Sequence, residues 1–408
     1  MNCRHCGVPL QHQFLDLGFA PPSNAYLQAD DLRRPERTYP LKLFVCAACW
    51  LVQTEDHAGA GELFSADYAY FSSVSSTWLE HARRYADTMV AKLALGPDSL
   101  VVEVASNDGY LLKNFVAAGV PCLGIEPTAS TAAAAEAIGV PTVREFFGRA
   151  LAERLARDRR PADLIAGNNV FAHVPDINDF TAGLKALLTP HGTITLEFPH
   201  LQQLIAQTQF DTVYHEHFSY LSLGTVERIF AAAGLRVWDV EELATHGGSL
   251  RVYGCHADDD RRPSTAVQRV LAAEQAAGLR SLAVYEGFQS QAEKLKDDLL
   301  AFLIEQKRLG RRVAAYGAAA KGNTFLNFAG VRPDLVRYVC DAAPSKIGKY
   351  LPGSHIPIVA PAHLRQDRPD VVLILPWNLR DEVSTQLAFV REWGGRFVTA
   401  VPALSVLA

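Results

Sequence analysis

Hydrophobic and polar positions change their period along this chain, and the changes divide it. From about Ser76 to Leu95 apolar residues recur at helical spacing. The pattern then alternates. SLVVEVASNDGYLLKNFVAAG reads as strand, polar turn and helix, VPCLGIEP as a second strand, and TASTAAAAEAIG as its helix. ADLIAGNNVFAHV and GTITLEFP read as further strands, separated by the helix of INDFTAGLKALLTP. Residues from about 265 to 309 return to a helical period, after which RRVAAYGAAAKGNTFLNFAG, LVRYVCDAAPSKIGKYLPG, HIPIVAP and DVVLILPWN begin a second alternation that ends in a helix around DEVSTQLAFVREW. Strands alternating with helices predict parallel sheets covered on both faces, so two α/β cores with a cleft between them are expected. Ligands of such sheets bind outside the carboxyl ends of the strands.

Residues 1–60 fit neither pattern. CRHCG, FLDLGFAPPSNAYL and YPLKLFVCAACWLVQ form a short, glycine- and proline-punctuated unit that buries little apolar surface. Its two CxxC pairs, Cys3/Cys6 and Cys46/Cys49, have the spacing that supplies four thiolates to tetrahedral zinc. Four cysteine ligands leave no open coordination position, so the expected Zn2+ is structural. Cys122, Cys255 and Cys340 stand alone in apolar surroundings and are expected to pack as small hydrophobes. The expected domains are therefore residues 1–60, 61–264 and 265–408.

A formal net charge of -5 over 408 residues, without a basic concentration, argues against nucleic acid as a partner. The alanine-rich run before Ile138 is broken by Glu136 and falls short of a membrane span, and MNCRHCGVPL lacks a signal-peptide pattern, so a cytoplasmic location is expected.

The turn EVASNDGYLL is acidic. Gly109 stands where a dinucleotide fingerprint would bring three glycines together, with Glu103, Asn107 and Asp108 around it. Such a turn would repel a pyrophosphate. It suits a cofactor with no phosphate and a cationic amino-acid tail, namely S-adenosylmethionine. The next strand ends in GIEP, placing Glu126 where a carboxylate could take ribose hydroxyls; the alternative is an ordinary turn capped by Asn107 or Asp108. Asn168 and Asn169, ending another buried strand, are costly to bury without partners and are expected to bond cofactor or hold the loop around it. His173 follows, either beside the substrate or satisfied by backbone.

YHEHFSYLSL concentrates chemistry. If extended, its His215 and His217 share one face and Tyr214 and Glu216 the other; a loop would break this division. A general base, a metal pair and a satisfied polar corner all remain open, although no HExxH arrangement or obvious third ligand favours metal. HGGSLRVY brings His246, Gly247 and Gly248 before a strand, with Arg251 free to pair with a substrate phosphate or a protein carboxylate. In the second α/β region, the turn before Lys321 and Asn323 exposes helix amides to an anion, and Lys346 and Lys349 sit in a second loop. Together these suit a diphosphate.

CRHCG with LDLGFAPPSNAYL and CAACW, YAYFSSVS, EVASNDGYLL, GIEP, NNVFAHV, FDTVYHEHFSYLS, HGGSLRVY, GAAAKGNTFLN and DAAPSKIGKYLPG together resemble the S-adenosylmethionine-dependent C-methyltransferases of nucleotide-linked keto-deoxysugars. The likeness covers nearly the whole chain. It implies an α/β protein with a small N-terminal zinc-binding domain, a central Rossmann-like methyltransferase domain and a C-terminal Rossmann-like α/β domain. It also implies methyl transfer, commonly to C3 and in some members to C5, of a dTDP-linked 4-keto-6-deoxysugar. By this resemblance His217 is the expected general base, beside Tyr214 and Glu216, with Tyr70 reaching in from YAYFSS. Tyr68, His173, His215, Arg251, Lys321, Asn323, Lys346 and Lys349 are expected around the substrate. An NAD(P)-dependent sugar oxidoreductase is opposed by both glycine-poor turns; a zinc-stabilised ligand-binding module is the non-enzyme alternative. Oligomeric state is left open.

Overall fold

The computed structural model describes residues 1–55, 57 and 71–407. Tyr68 and Tyr70 lie outside the described residues. The first three strands, β1 (His12–Ala20), β2 (Tyr39–Val45) and β3 (Val52–Thr54), run antiparallel. The central sheet is built from β4 (Val101–Val104), β5 (Cys122–Ile125), β6 (Thr142–Val143), β7 (Ala162–Asn168) and β8 (Leu188–Pro199). The short β9 (Ser219–Tyr220) follows, then β10 (Leu235–Leu243) and β11 (Ser249–His256). Along this sheet the order is β10-β11-β8-β7-β4-β5-β6, with β11 antiparallel to both neighbours. Chain direction across the sheet reverses between β4 and β7. Their carboxyl ends therefore open a crevice at a topological switch point.

The C-terminal sheet comprises β12 (Val313–Tyr316), β13 (Val339–Cys340), β14 (Ile358–Val359), β15 (Val371–Ile374), β16 (Arg396–Thr399) and β17 (Ser405–Leu407), in the order β14-β13-β12-β15-β16-β17. Its switch point lies between β12 and β15, both fully buried. The two expected α/β cores are thus present, as is the long helical stretch between them. Helix Phe288–Arg308 buries Phe288, Ala292, Leu295, Leu299 and Leu303, a stripe spaced by three and four residues.

The N-terminal unit is less separate than its length suggests. Strand β9, far along the chain, pairs with β3 and completes its sheet. Phe14 stacks on Phe288 at 4.6 Å and meets Tyr285 edge-on at 5.4 Å, while Cys3, Cys46, Cys49 and Leu51 share a core with the central sheet. A unit too small for its own core borrows two. The expected boundary after residue 60 is therefore crossed by β-pairing. Among the described residues, no helix is long and apolar enough to cross a membrane.

Candidate active site

The crevice at β4 and β7 is lined by strained backbone and unsatisfied polar atoms. After β4 the chain takes positive φ at Ala105 (57°), Asn107 (49°) and Gly109 (77°). A Cβ on Gly109 would lie 3.1 Å from both the Ala135 Cβ and a Val140 methyl, so the glycine lets the turn close against the helix Ala129–Ala137. Glu126 braces the turn from the neighbouring strand. Its two oxygens accept the Asn107 and Thr128 N–H groups at 3.0 and 2.8 Å. The Asn107 and Asp108 side chains accept the N–H groups of Ser72 and Ser73, which fixes the segment leading to the helix Ser76–Lys92 over this edge.

Glu103 is buried below the turn, and desolvation, with Glu126 and Asp108 nearby, pushes its carboxyl well above the usual range. Among the described residues Glu103 Oε2, Ser106 Oγ, Asp108 Oδ1, both polar atoms of the Asn168 side chain and Asn169 Oδ1 have no hydrogen-bond partner. Each such buried atom costs about 1–3 kcal/mol if left unmet. Asn169 has φ 53°, and its Nδ2 donates to His246 Nε2 at 3.2 Å. The crevice is thus a polar cradle that the described residues do not satisfy.

The second cluster is the histidine-rich segment, and it is a turn. His217 N–H bonds the Tyr214 carbonyl at 2.9 Å, so the extended reading and its division of faces fail. The turn sends the histidines apart. His215 Nε2 donates to the Pro40 carbonyl at 3.3 Å and its ring meets Tyr39, whereas the His217 ring lies 3.9 Å from Tyr214 and 4.5 Å from His173. The metal-pair reading loses its geometry. Among the described residues, the group able to hold a metal is Cys3, Cys6, Cys46 and Cys49.

His217 is buried, and its Nδ1 lies 3.0 Å from the Thr212 carbonyl. A carbonyl only accepts, so Nδ1 carries the proton and Nε2 keeps its lone pair. Burial, with His173 nearby, holds the imidazole well below its ordinary pKa and hence neutral. His173 is fixed likewise, donating from Nδ1 to the Glu216 carbonyl at 2.8 Å. Burial lowers it to about 4. Glu216 accepts Asn24 Nδ2 at 3.2 Å through one oxygen; the other has no partner among the described residues, and desolvation raises its pKa.

The C-terminal unit meets this cluster. Thr324 donates to the Val213 carbonyl at 2.7 Å, Asn323 Nδ2 to the Ser23 carbonyl at 2.6 Å, and Tyr26 to the Ala318 carbonyl at 2.6 Å. Lys321 donates to Asn378 at 2.8 Å and lies over the Trp377 ring. Trp377 Nε1 donates to buried Asp211 at 2.7 Å, and the same ring passes close to Gly247, where φ is 90° and a Cβ would sit 2.4 Å from the indole. Gly247 is there to admit the tryptophan. Lys346 donates to the Ala318 carbonyl at 2.8 Å on the other side of the turn, and Lys349 is half-buried in the loop beyond. Arg251 is committed elsewhere: it pairs with Glu197 at 3.0 Å and Glu241 at 2.9 Å inside the central sheet, the carboxylate alternative of its sequence reading.

The four cysteine sulfurs lie within 4.8 Å of one another, with Cys3–Cys49 and Cys6–Cys46 each at 3.5 Å. A tetrahedron with Zn–S bonds of about 2.3 Å has edges of roughly 3.8 Å, so the cage fits zinc. Gln53 Nε2 donates to Cys3 Sγ at 3.2 Å, as an outer partner of a bound thiolate would.

Across an alignment of 406 residues the chain is 34% identical to the C-methyltransferase NovU of Streptomyces niveus, covering 100% of this chain and 96% of that one. The chain belongs to this C-methyltransferase family. Three family descriptions match it in succession: a putative zinc binding domain over residues 3–64, a methyltransferase domain over 78–240 and a C-methyltransferase C-terminal domain over 244–402. The last begins before β11, which nevertheless completes the central sheet. The protein is an S-adenosylmethionine-dependent methyltransferase. Solved structures with partial likeness include 1,6-didemethyltoxoflavin-N1-methyltransferase from Burkholderia thailandensis (18% identity, TM-score 0.38, 51% of this chain and 96% of that one). Magnesium protoporphyrin IX methyltransferase from Synechocystis PCC 6803 is another (14% identity, TM-score 0.33, 44% and 81%).

The sequence marks the crevice and the histidine-rich segment, though not its turn, and misses several residues that organise them. Asn24 was visible only as part of a proline-rich loop. His246 was read for its glycine neighbours. His81 and Glu197, bonded at 3.0 Å beneath the stacked Trp78 ring, carried no local signal.

Proposed function

We propose that the protein methylates a ring carbon, C3, of a dTDP-linked 4-keto-6-deoxysugar, with His217 as the base that generates the enolate. The observation that carries this reading is the fixed tautomer: Thr212 holds the Nδ1 proton and leaves a buried, neutral Nε2 as acceptor. A ring C–H becomes acidic only beside a ketone, and imidazole is suited to removing that proton near neutrality. Tyr214, tilted against His217 with ring centres 3.9 Å apart, supplies the hydroxyl for the oxygen on which charge develops, while His173, whose Nδ1 proton goes to the Glu216 carbonyl, packs edge-on against the His217 ring. Glu216, whose pKa burial raises, presents to a sugar substituent the oxygen that has no partner among the described residues. Tyr70 and Tyr68 complete the sugar site in this reading.

S-adenosylmethionine, when bound, supplies an electrophilic methyl group. The chain's part is to hold it in the β4–β7 crevice. Glu126 and Asn107 take the ribose side, while Glu103, Asp108, Asn168 and Asn169 offer to its polar groups the atoms that have no partner among the described residues. Lys321, following β12, and Lys346 and Lys349, following β13, supply positive charge to the diphosphate, Lys321 and Lys346 by exchanging their present partners Asn378 and the Ala318 carbonyl, while buried Asn323 holds the Ser23 carbonyl. Thymidine diphosphate 4-keto-6-deoxyglucose and its 3-deoxy and 3-amino relatives are the substrates to try, with the new methyl located by NMR. A C3-methyl product that disappears in His217→Asn, where a loss of 10²–10⁴-fold is expected for a missing general base, supports the reading. Methyl at C5 would correct the regiochemistry, and near-parental turnover by His217→Asn would remove the base assignment.

A further inference from the structure

The first cysteine turn, Cys3-Arg4-His5-Cys6, reaches beyond its own sulfurs. Arg4 Nη1 donates to the Pro175 carbonyl at 2.9 Å, two residues after His173. Its Nη2 donates to the Thr54 carbonyl at 3.0 Å. Thr54 in turn bonds the turn that carries His217, through its N–H to the Phe218 carbonyl at 3.2 Å and its hydroxyl to the His217 carbonyl at 3.4 Å. The guanidinium also lies 5.3 Å from the Phe218 ring centre. On the metal side, the Arg4 N–H bonds Gln53, whose amide nitrogen bonds Cys3 Sγ. One residue further, His5 and Asn178 bond reciprocally, His5 Nδ1 to Asn178 Oδ1 at 2.8 Å and Asn178 Nδ2 to the His5 carbonyl at 2.9 Å. This ties the cysteine turn to the first residues of the helix Ile177–Leu187.

We propose that Arg4 is a positioning residue that couples the four-cysteine centre to the His173–His217 pair, so that the metal cage sets the register of the two imidazoles. A cage serving only its own fold needs no planar fork spanning the segments after His173 and beside His217. Two charge-assisted hydrogen bonds in a rigid geometry transmit orientation, and small displacements of a catalytic group are costly in rate. The proposal rests on His217 as the base.

The test compares Arg4→Ala, Arg4→Lys and Asn178→Ala with the parent for zinc content, S-adenosylmethionine affinity, kcat and KM, and the ¹⁵N spectrum of the histidine side chains. Arg4→Ala is expected to keep zinc and cofactor affinity while kcat falls about tenfold with little change in KM. The His217 nitrogens should move from one fixed tautomer toward an averaged signal. Arg4→Lys, which keeps charge but loses the fork, should recover only part of the rate. A zinc-loaded Arg4→Ala protein with parental kcat and an unchanged histidine spectrum overturns the proposal. Should Arg4→Ala lose zinc or fail to fold, Asn178→Ala decides: a several-fold lower kcat at full zinc supports the coupling, and a parental kcat overturns it. An active His217→Asn enzyme would sink the base reading whatever Arg4 does; an inactive one beside a normal Arg4→Ala sinks only the coupling.

Discussion

The central and C-terminal sheets both present a crevice at a switch point, yet they are finished differently. Among the described residues, the central one leaves acceptors and amides unmet at Glu103, Asp108, Asn168 and Asn169, and holds non-glycine residues at positive φ. In the C-terminal one, Asp341 accepts the Ala318 N–H, Lys346 donates to the Ala318 carbonyl and Lys321 to Asn378, so the groups that could meet an anion already have partners. Unmet buried polarity and strain persist where a ligand compensates them. The central crevice is therefore prepared for a bound molecule, while the C-terminal sheet mainly supports the turn bearing His217 and lends it a few cations.

The contrast is broken most severely at Glu126. Replacing it by alanine removes charge-assisted hydrogen bonds worth about 1.5–3 kcal/mol, so S-adenosylmethionine affinity should fall roughly 10- to 150-fold with nucleotide-sugar affinity near normal. Because the same carboxylate braces Asn107 and Thr128, calorimetric titration with both ligands is needed. Equal losses would make Glu126 a brace of the turn alone. On the other side, Lys321→Ala should weaken the nucleotide sugar about tenfold and leave S-adenosylmethionine nearly unaffected. A loss confined to S-adenosylmethionine would put the cation in the wrong crevice.

Smaller still is the expected response to pH. The His217 pKa is lowered by burial, so the neutral base persists into more acidic solution and the acid limb of kcat/KM should lie below about 6.5. Lys321 is lowered by burial against the opposing pull of Asp211, so any alkaline limb from loss of its charge should begin below the ordinary lysine range. Profiles from pH 5 to 10 measure both; an acid limb above 6.5 would contradict the neutral buried base.

Much of this was legible in the chain. The two CxxC pairs placed four sulfurs together because ligand spacing is local, and the strand-turn-helix run around Asn107 marked the central crevice because periodicity is local too. The histidine turn was not. An alternating YHEHFSY suits a strand as well as a turn, and the deciding bond from His217 N–H to the Tyr214 carbonyl leaves no trace in residue type. Strand β9 was hidden because two residues pair with a partner far back in the chain. Arg4 was read only as spacing between ligands, since its partners, Pro175 and Thr54, contribute backbone carbonyls that any sequence would supply. Arg251, conversely, looked available for a phosphate because its partners Glu197 and Glu241 lie on neighbouring strands.

The central claim is that His217 removes the proton beside the ketone. The most direct measurement follows that proton by NMR in deuterated water, at saturating keto-sugar and with the demethylated cofactor product in place of S-adenosylmethionine, in the parent and in His217→Asn. The account predicts site-specific exchange in the parent and its loss by 10²–10⁴-fold in the variant, with both ligands still bound. Exchange at the parental rate in ligand-saturated His217→Asn would contradict it and move the base elsewhere, first to Tyr214 or to His173, whose Nε2 also keeps its lone pair.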